Sequence, residues 1–94
     1  ERSVSFYAKA LNITPDYLNK VCRRAYGMSP KALIEQQLLV EMKSYLIDTR
    51  LSVSEIADLL NFEDASYMCR FFRRKTGCSP LEFRNGSALR EAAE

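Results

Sequence analysis

Apolar residues recur along this 94-residue chain with a helical period, and the same pattern is written twice. Val4, Tyr7, Ala8 and Leu11 are spaced i, i+3, i+4, i+7, and Val53, Ile56, Ala57 and Leu60 repeat that spacing. The surrounding words match too: SVSFYAKALN at 3–12 faces SVSEIADLLN at 52–61, an offset of 49. From Tyr17 and Tyr67 onward the offset is 50, and RRAYGMSP at 23–30 answers RRKTGCSP at 73–80. One residue is therefore inserted in the second copy, in the stretch where ITPD faces FEDAS, and a turn tolerates it there.

Each copy predicts two helices. Ser52 with Glu55 makes a capping box for the first of them, and Ser3 caps the other copy without the glutamate. Asn12 and Asn61 follow the stripes directly and suit the left-handed conformation that ends a helix. The second helix opens at Thr14-Pro15-Asp16 or at Glu63-Asp64, with proline or acid in its first turn. Its apolar face is expected at Leu18, Val21, Cys22 and Ala25 in one copy and at Met68, Phe71 and Phe72 in the other. Gly27 and Gly77 stop it, and Ser29-Pro30 and Ser79-Pro80 start the next helix. The expected fold is all-α: a first unit over 1–29, a linker helix over 30–48, a second unit over 49–85, and a tail over 86–94. Tyr7 and Tyr45 are expected in the core, and Phe62 as a plug between the helices of its unit. Glu35 and Glu41 should lie on a solvated face.

Composition removes several kinds of chemistry. There is no histidine, and Cys22, Cys69 and Cys78 form no CxxC pair, so neither a zinc site nor His-assisted nucleophilic catalysis is expected. Three scattered glycines make no phosphate-cradling loop. Glu63 and Asp64 are better explained as helix N-terminal acids than as catalytic groups. No cofactor or metal is expected, and no membrane span or leader. Three unpaired cysteines suit a reducing compartment, hence the cytoplasm.

Charge changes the picture more. Residues 14–27 carry Lys20, Arg23 and Arg24 against Asp16, a net +2. Residues 64–77 carry Arg70, Arg73, Arg74 and Lys75 against Asp64, a net +3, while the rest of the chain is net −3. The cations are concentrated on the second helix of each unit, opposite its apolar face. Two basic helices, each following a short helix and a tight turn, point to nucleic acid. The competing reading is a helical interaction domain whose basic faces meet an acidic protein.

The second unit, IADLLNFEDASYMCRFFRRKTGCSPLEFR, resembles the signature of the AraC/XylS family at Ala57, Phe62, Tyr67, Arg70, Phe72, Arg73, Gly77, Ser79, Pro80, Phe83 and Arg84. The resemblance covers residues 3–85. It implies two homeodomain-like helix-turn-helix subdomains joined by a long linker helix, with two recognition helices in successive major grooves of double-stranded DNA. It implies base contacts from Asp16, Asn19 and Lys20 and from Ala65, Ser66, Cys69 and Arg70. Phosphate contacts would come from Tyr17, Arg23, Arg24, Tyr67, Arg73, Arg74 and Lys75. By their chemistry, Arg70 suits guanine, Asn19 adenine, Asp16 the cytosine amine, and Ala65 and Cys69 a thymine methyl. A transcription activator of this kind would also have RNA polymerase as partner. The chain departs from the family's pattern at Leu38 and Met42, where arginine and a small residue are usual, and at Asn61, where glycine is usual. The family's first subdomain begins with a further helix, so the chain reads as a piece of a longer regulator whose sensor domain lies elsewhere. The stripe of Val4, Tyr7 and Leu11 should then be less covered than its counterpart.

Overall fold

The computed structural model describes residues 3–93, with side chains through residue 86. It contains six helices and, among the described residues, no strand. They are α1 (Val4–Ala10), α2 (Pro15–Tyr26), α3 (Pro30–Asp48), α4 (Val53–Leu59), α5 (Ala65–Thr76) and α6 (Pro80–Ala93). The chain divides into two compact units, Glu1–Leu38 and Leu39–Glu94, with the division falling inside α3. The segment 86–94, expected as a separate tail, continues the backbone of α6 as far as Ala93.

Local chemistry sets the start of each of the six helices. Ser3 accepts from the Phe6 N–H, Thr14 from Tyr17, Ser52 from Glu55 and Asp64 from Tyr67, each satisfying an orphan donor of a first turn. Ser29 and Ser79 do the same for Ala32 and Glu82. The Ser52–Glu55 box closes as expected, the Ser52 N–H donating to Glu55 Oε1 at 3.0 Å. A second box, unforeseen although Ser79-x-x-Glu82 spells it, closes with the Ser79 N–H on Glu82 Oε1 at 2.9 Å. Asn12 and Asn61 stand at φ 59° and 61°, and Gly27 and Gly77 at 70° and 87°.

The turns repeat atom for atom. The Ile13 N–H donates to the Ala8 carbonyl at 2.9 Å, and the Phe62 N–H to the Ala57 carbonyl at the same distance. Thr14 then caps α2, whereas Asp64 caps α5, so Glu63 is the extra residue of the second copy.

The two units differ in how well they bury the same pattern. In the second, Met42, Leu46, Ile56, Ala57, Leu60, Met68, Phe71 and Phe72 are buried. Phe72 meets Phe83 edge-on at 5.6 Å, and Phe62 sits 5.8 Å from Phe71, plugging its unit as expected. In the first, the buried apolar side chains are Ala8, Leu18 and Leu38. Tyr7 is 36% exposed and Leu11 61%, where their counterparts Ile56 and Leu60 are at 0% and 5%. Tyr7 is thus no core residue: its helix stripe is right, but little covers it. Val21 and Ala25 likewise stand exposed, because the apolar face of α2 is buried only along Leu18 and in part along Cys22. In α3, Leu38, Met42 and Leu46 form one buried i, i+4 row, which places the two unusual linker residues in cores. Glu35 and Glu41 are half-buried, not fully solvated.

Arg84 holds the end of α3. Its Nε donates to the Leu46 carbonyl at 2.8 Å, and its guanidinium also reaches the carbonyls of Tyr45 and Thr49. The last carbonyls of a helix have no partner within it, and a guanidinium can satisfy several at once. Arg84→Ala should therefore lower the stability of the second unit by about 1.5–3 kcal/mol, the usual worth of hydrogen bonds to a charged group. Arg84→Lys should restore little of it, lacking the planar fork. Denaturant unfolding checks this; an unchanged midpoint for the alanine variant would discard the capping role.

The two boxes also make stability depend on pH. Hydrogen bonds from the Ser52 backbone and hydroxyl hold the Glu55 carboxyl below its ordinary 4.5, and those from Ser79, helped by Arg73, do the same for Glu82. A depressed carboxylate contributes stability above its unfolded-state pKa and loses it as pH falls through the folded value. Unfolding midpoints should thus decline as pH drops below 4.5. The double variant Glu55→Gln/Glu82→Gln, which keeps an acceptor at each box, should show a shallower acid limb. Superimposable limbs would show that other carboxylates set the acid response.

Candidate nucleic-acid interface

In each unit, a left-handed asparagine turns the chain out of a seven-residue helix, and a capped twelve-residue helix follows. The capped helix fixes which side chains face solvent. On α2, Leu18 is buried and Cys22 half-buried. Asp16, Lys20, Arg23 and Arg24 are exposed, with Asn19 half-buried beside them. On α5, Met68, Phe71 and Phe72 are buried while Ser66, Arg70, Arg73, Arg74 and Lys75 are exposed. Ala65 and Cys69 are half-buried, so Cys69 is less open than its place on the polar face suggested.

Tyr17 and Tyr67 expose their rings, but their backbone N–H groups are occupied by the caps Thr14 and Asp64. Only the phenol ends remain for a phosphate. The Arg70 guanidinium lies 5.8 Å from the Tyr67 ring, and the Arg74 guanidinium and Lys75 ammonium stand 5.7 and 6.0 Å from the Phe71 ring. These aromatic contacts steady long side chains while leaving their charged ends at the surface.

The repeat makes the two helices comparable position by position, and one pair of arginines differs. Arg23 Nε donates to Asn19 Oδ1 at 3.1 Å, one turn back along its own helix. Its counterpart Arg73 faces Cys69 at that position and instead reaches Glu82 Oε1 in the first turn of α6 at 3.2 Å. The residue matching Glu82 in the first unit is Ala32. The Asn19–Arg23 pair was legible as an i, i+4 spacing; the Arg73–Glu82 pair joins different helices and had no such signal.

A second difference lies on the flank of α2. A hollow of about 230 Å³ is lined by Tyr17, Lys20, Val21, Arg24 and Ala25. In the second unit that flank is filled by Phe62 against Phe71; here Ile13 and Val21 stand in their places.

Among the described residues no cluster of histidine, cysteine or acid can hold a metal ion. No described helix is long and apolar enough to cross a membrane. The three cysteines are half-buried thiols.

Residues 7–86 match the sequence model of a family described as a helix-turn-helix domain. The arabinose operon regulatory protein of Salmonella typhimurium is 30% identical over 83 residues, which cover 88% of this chain and 30% of that protein. The chain thus spans less than a third of such relatives. The C-terminal domain of AraT, a response regulator from Geobacillus stearothermophilus, superposes with a TM-score of 0.82 at 25% identity, over 89% of this chain and 69% of that one. The DNA-binding domain of the transcription factor AdpA, in complex with a target DNA, shares the fold over 100% of this chain and 85% of that one, at TM-score 0.85 and 21% identity. With the repeat, the caps and the two basic helices, these likenesses agree on one assignment: the chain belongs to the AraC-type helix-turn-helix family of DNA-binding transcription regulators.

Proposed function

We propose that α2 and α5 are the recognition helices of a sequence-specific module, each reading one major-groove segment of the same double-stranded site. One observation carries this reading: among the described residues, seven of the ten exposed cations lie on these two helices, each placed behind a short helix and a left-handed turn. The first halves of the helices supply base readers, with Asp16, Asn19 and Lys20 on α2 and Ala65, Ser66, Cys69 and Arg70 on α5. Tyr17, Arg23, Arg24, Tyr67, Arg73, Arg74 and Lys75 grip phosphates. The module binds DNA and carries no catalysis of its own; its relatives are named as regulators, although one 28% identical relative from Bacillus subtilis, AdaA, is also named a DNA repair enzyme. RNA polymerase as a second partner, activation, and the cytoplasm as compartment belong to the same proposal.

Arg70→Ala should relax preference at one base step and weaken specific binding by ~1–3 kcal/mol, if Arg70 grips a guanine edge. Equal loss on every sequence would reassign it to phosphate. Arg74→Ala should do the opposite, weakening all sites alike and lowering the salt slope by about one unit. Binding titrations at several salt concentrations separate the two.

Docking of both helices on one face of the duplex requires centres about one helical turn apart, ~10–10.5 base pairs. One chain should protect an asymmetric site of about two turns. Inserting five base pairs between the half-sites turns one of them to the far side, and affinity should fall to that of one unit. Undiminished affinity would mean that the two units do not read DNA together.

A further inference from the structure

We propose that Arg23 is a positioning residue that sets what Asn19 can read, turning its amide from an adenine reader into a selector of guanine. The inference rests on the proposed role of α2 and deepens it at one base pair.

Asparagine alone is ambiguous. Its amide carries an acceptor, Oδ1, and a two-donor group, Nδ2, and both together match adenine, which offers an N6 donor beside the N7 acceptor. Arg23 removes that ambiguity, because a guanidinium donates and never accepts. The atom facing Arg23 Nε at 3.1 Å must therefore be Oδ1, and Nδ2 is turned away from the arginine. Oδ1 keeps a second lone pair, but an adenine amine approaching it beside the Nε–H would meet a cation carrying only donors. What the Asn19–Arg23 pair presents is a donor surface. Guanine, whose major-groove edge offers two acceptors, N7 and O6, is the complementary base. Asn19 is half-buried and Arg23 exposed, so the asparagine is the more confined of the two and the arginine the more adjustable.

The second unit acts as an internal control. The equivalent arginine, Arg73, has a cysteine one turn back and an acid on the following helix, and it pairs with the acid, Glu82. Ala32 offers Arg23 no such alternative. The clip therefore arises from Asn19 and Ala32 together, and it makes the two half-sites chemically unlike.

The test is selection of bound sequences from a random duplex pool, with the 94-residue chain, Arg23→Met and Asn19→Ala compared. Arg23→Met keeps an unbranched apolar stem and a good helix former but removes every donor. The wild type should enrich guanine at one base pair of the half-site of α2. Arg23→Met should move the guanine-to-adenine ratio there toward adenine by about fivefold or more, the low end of what one good base contact discriminates. Preferences in the other half-site should not move. Asn19→Ala should erase the preference at the same base pair. A uniform loss across all sequences in Arg23→Met, with the ratio unchanged, would leave Arg23 a phosphate contact alone, with no hold on what Asn19 reads, and overturn the inference while leaving the α2 reading intact. Adenine enriched there by the wild type, or a guanine preference that survives Asn19→Ala, would overturn it equally. A wild type that enriches no sequence at all brings down the DNA reading and this inference together. Circular dichroism of each variant confirms that the helices persist.

Discussion

Four residues with positive φ reverse or redirect this chain, two in each unit at matching places: Asn12 and Gly27, Asn61 and Gly77. An L-residue with a side chain pays roughly 1–2 kcal/mol in that conformation, less when asparagine's short amide can bond locally. The asparagines are there because the helix must stop within one residue and the next must start within three. The bonds from Ile13 to Ala8 and from Phe62 to Ala57 lock that geometry. The following helix is thereby launched from a fixed point, and its cap fixes its first turn. Which residues of α2 and α5 face solvent follows from that launch point and from the 3.6-residue period.

Much of this was legible because it is local. Caps, left-handed turns and the i, i+3, i+4 stripes each depend on residues within one or two turns, and the structure has them at Ser3, Asn12, Ser52 and Asn61, whereas Asp64, expected as a first-turn acid, is the N-cap of α5, whose first turn holds no acid. Charge segregation onto two helices was equally visible, since it needs only the period and a count. Coverage was not in the pattern itself, and only the family resemblance anticipated the poorer cover of the first stripe. Tyr7 and Leu11 carry the same stripe as Ile56 and Leu60, yet a stripe states which face is apolar and not what lies against it. Contacts that join distant segments were also out of reach: Arg84 meets carbonyls 35 to 39 residues away, and nothing in the spacing announces this. Cys69 is half-buried for the same reason, since a position on the polar face says nothing of neighbours from other elements.

The repeat is thus a repeat of backbone and not of packing. The second unit closes around Phe72, Met68, Met42 and Ile56, and on α5 Arg70 lies over the Tyr67 ring and Arg74 over the Phe71 ring. Burial of side chains of that size is worth about 1.5–3 kcal/mol each. Rotation or sliding of α5 would expose several of them at once, so packing alone resists any displacement of the helix.

The first unit has no comparable restraint. Where Phe62 and Phe71 fill the flank of the second helix, Ile13 and Val21 leave a hollow between Tyr17 and Ala25. Beyond the buried Leu18, α2 is held by bonds that act locally: the Thr14 cap on the Tyr17 backbone N–H and the Arg23 clip on the Asn19 side chain. Each is a single exposed hydrogen bond, worth about 0.5–1.5 kcal/mol. A contact of that size cannot stabilise a fold, but it can decide between two orientations of one amide, which differ by a similar amount. The two helices therefore hold their exposed side chains by different means, α5 through a packed aromatic bed and α2 through side-chain pairing, and substitutions in the core of each unit should be felt very unequally at the surface proposed to meet DNA.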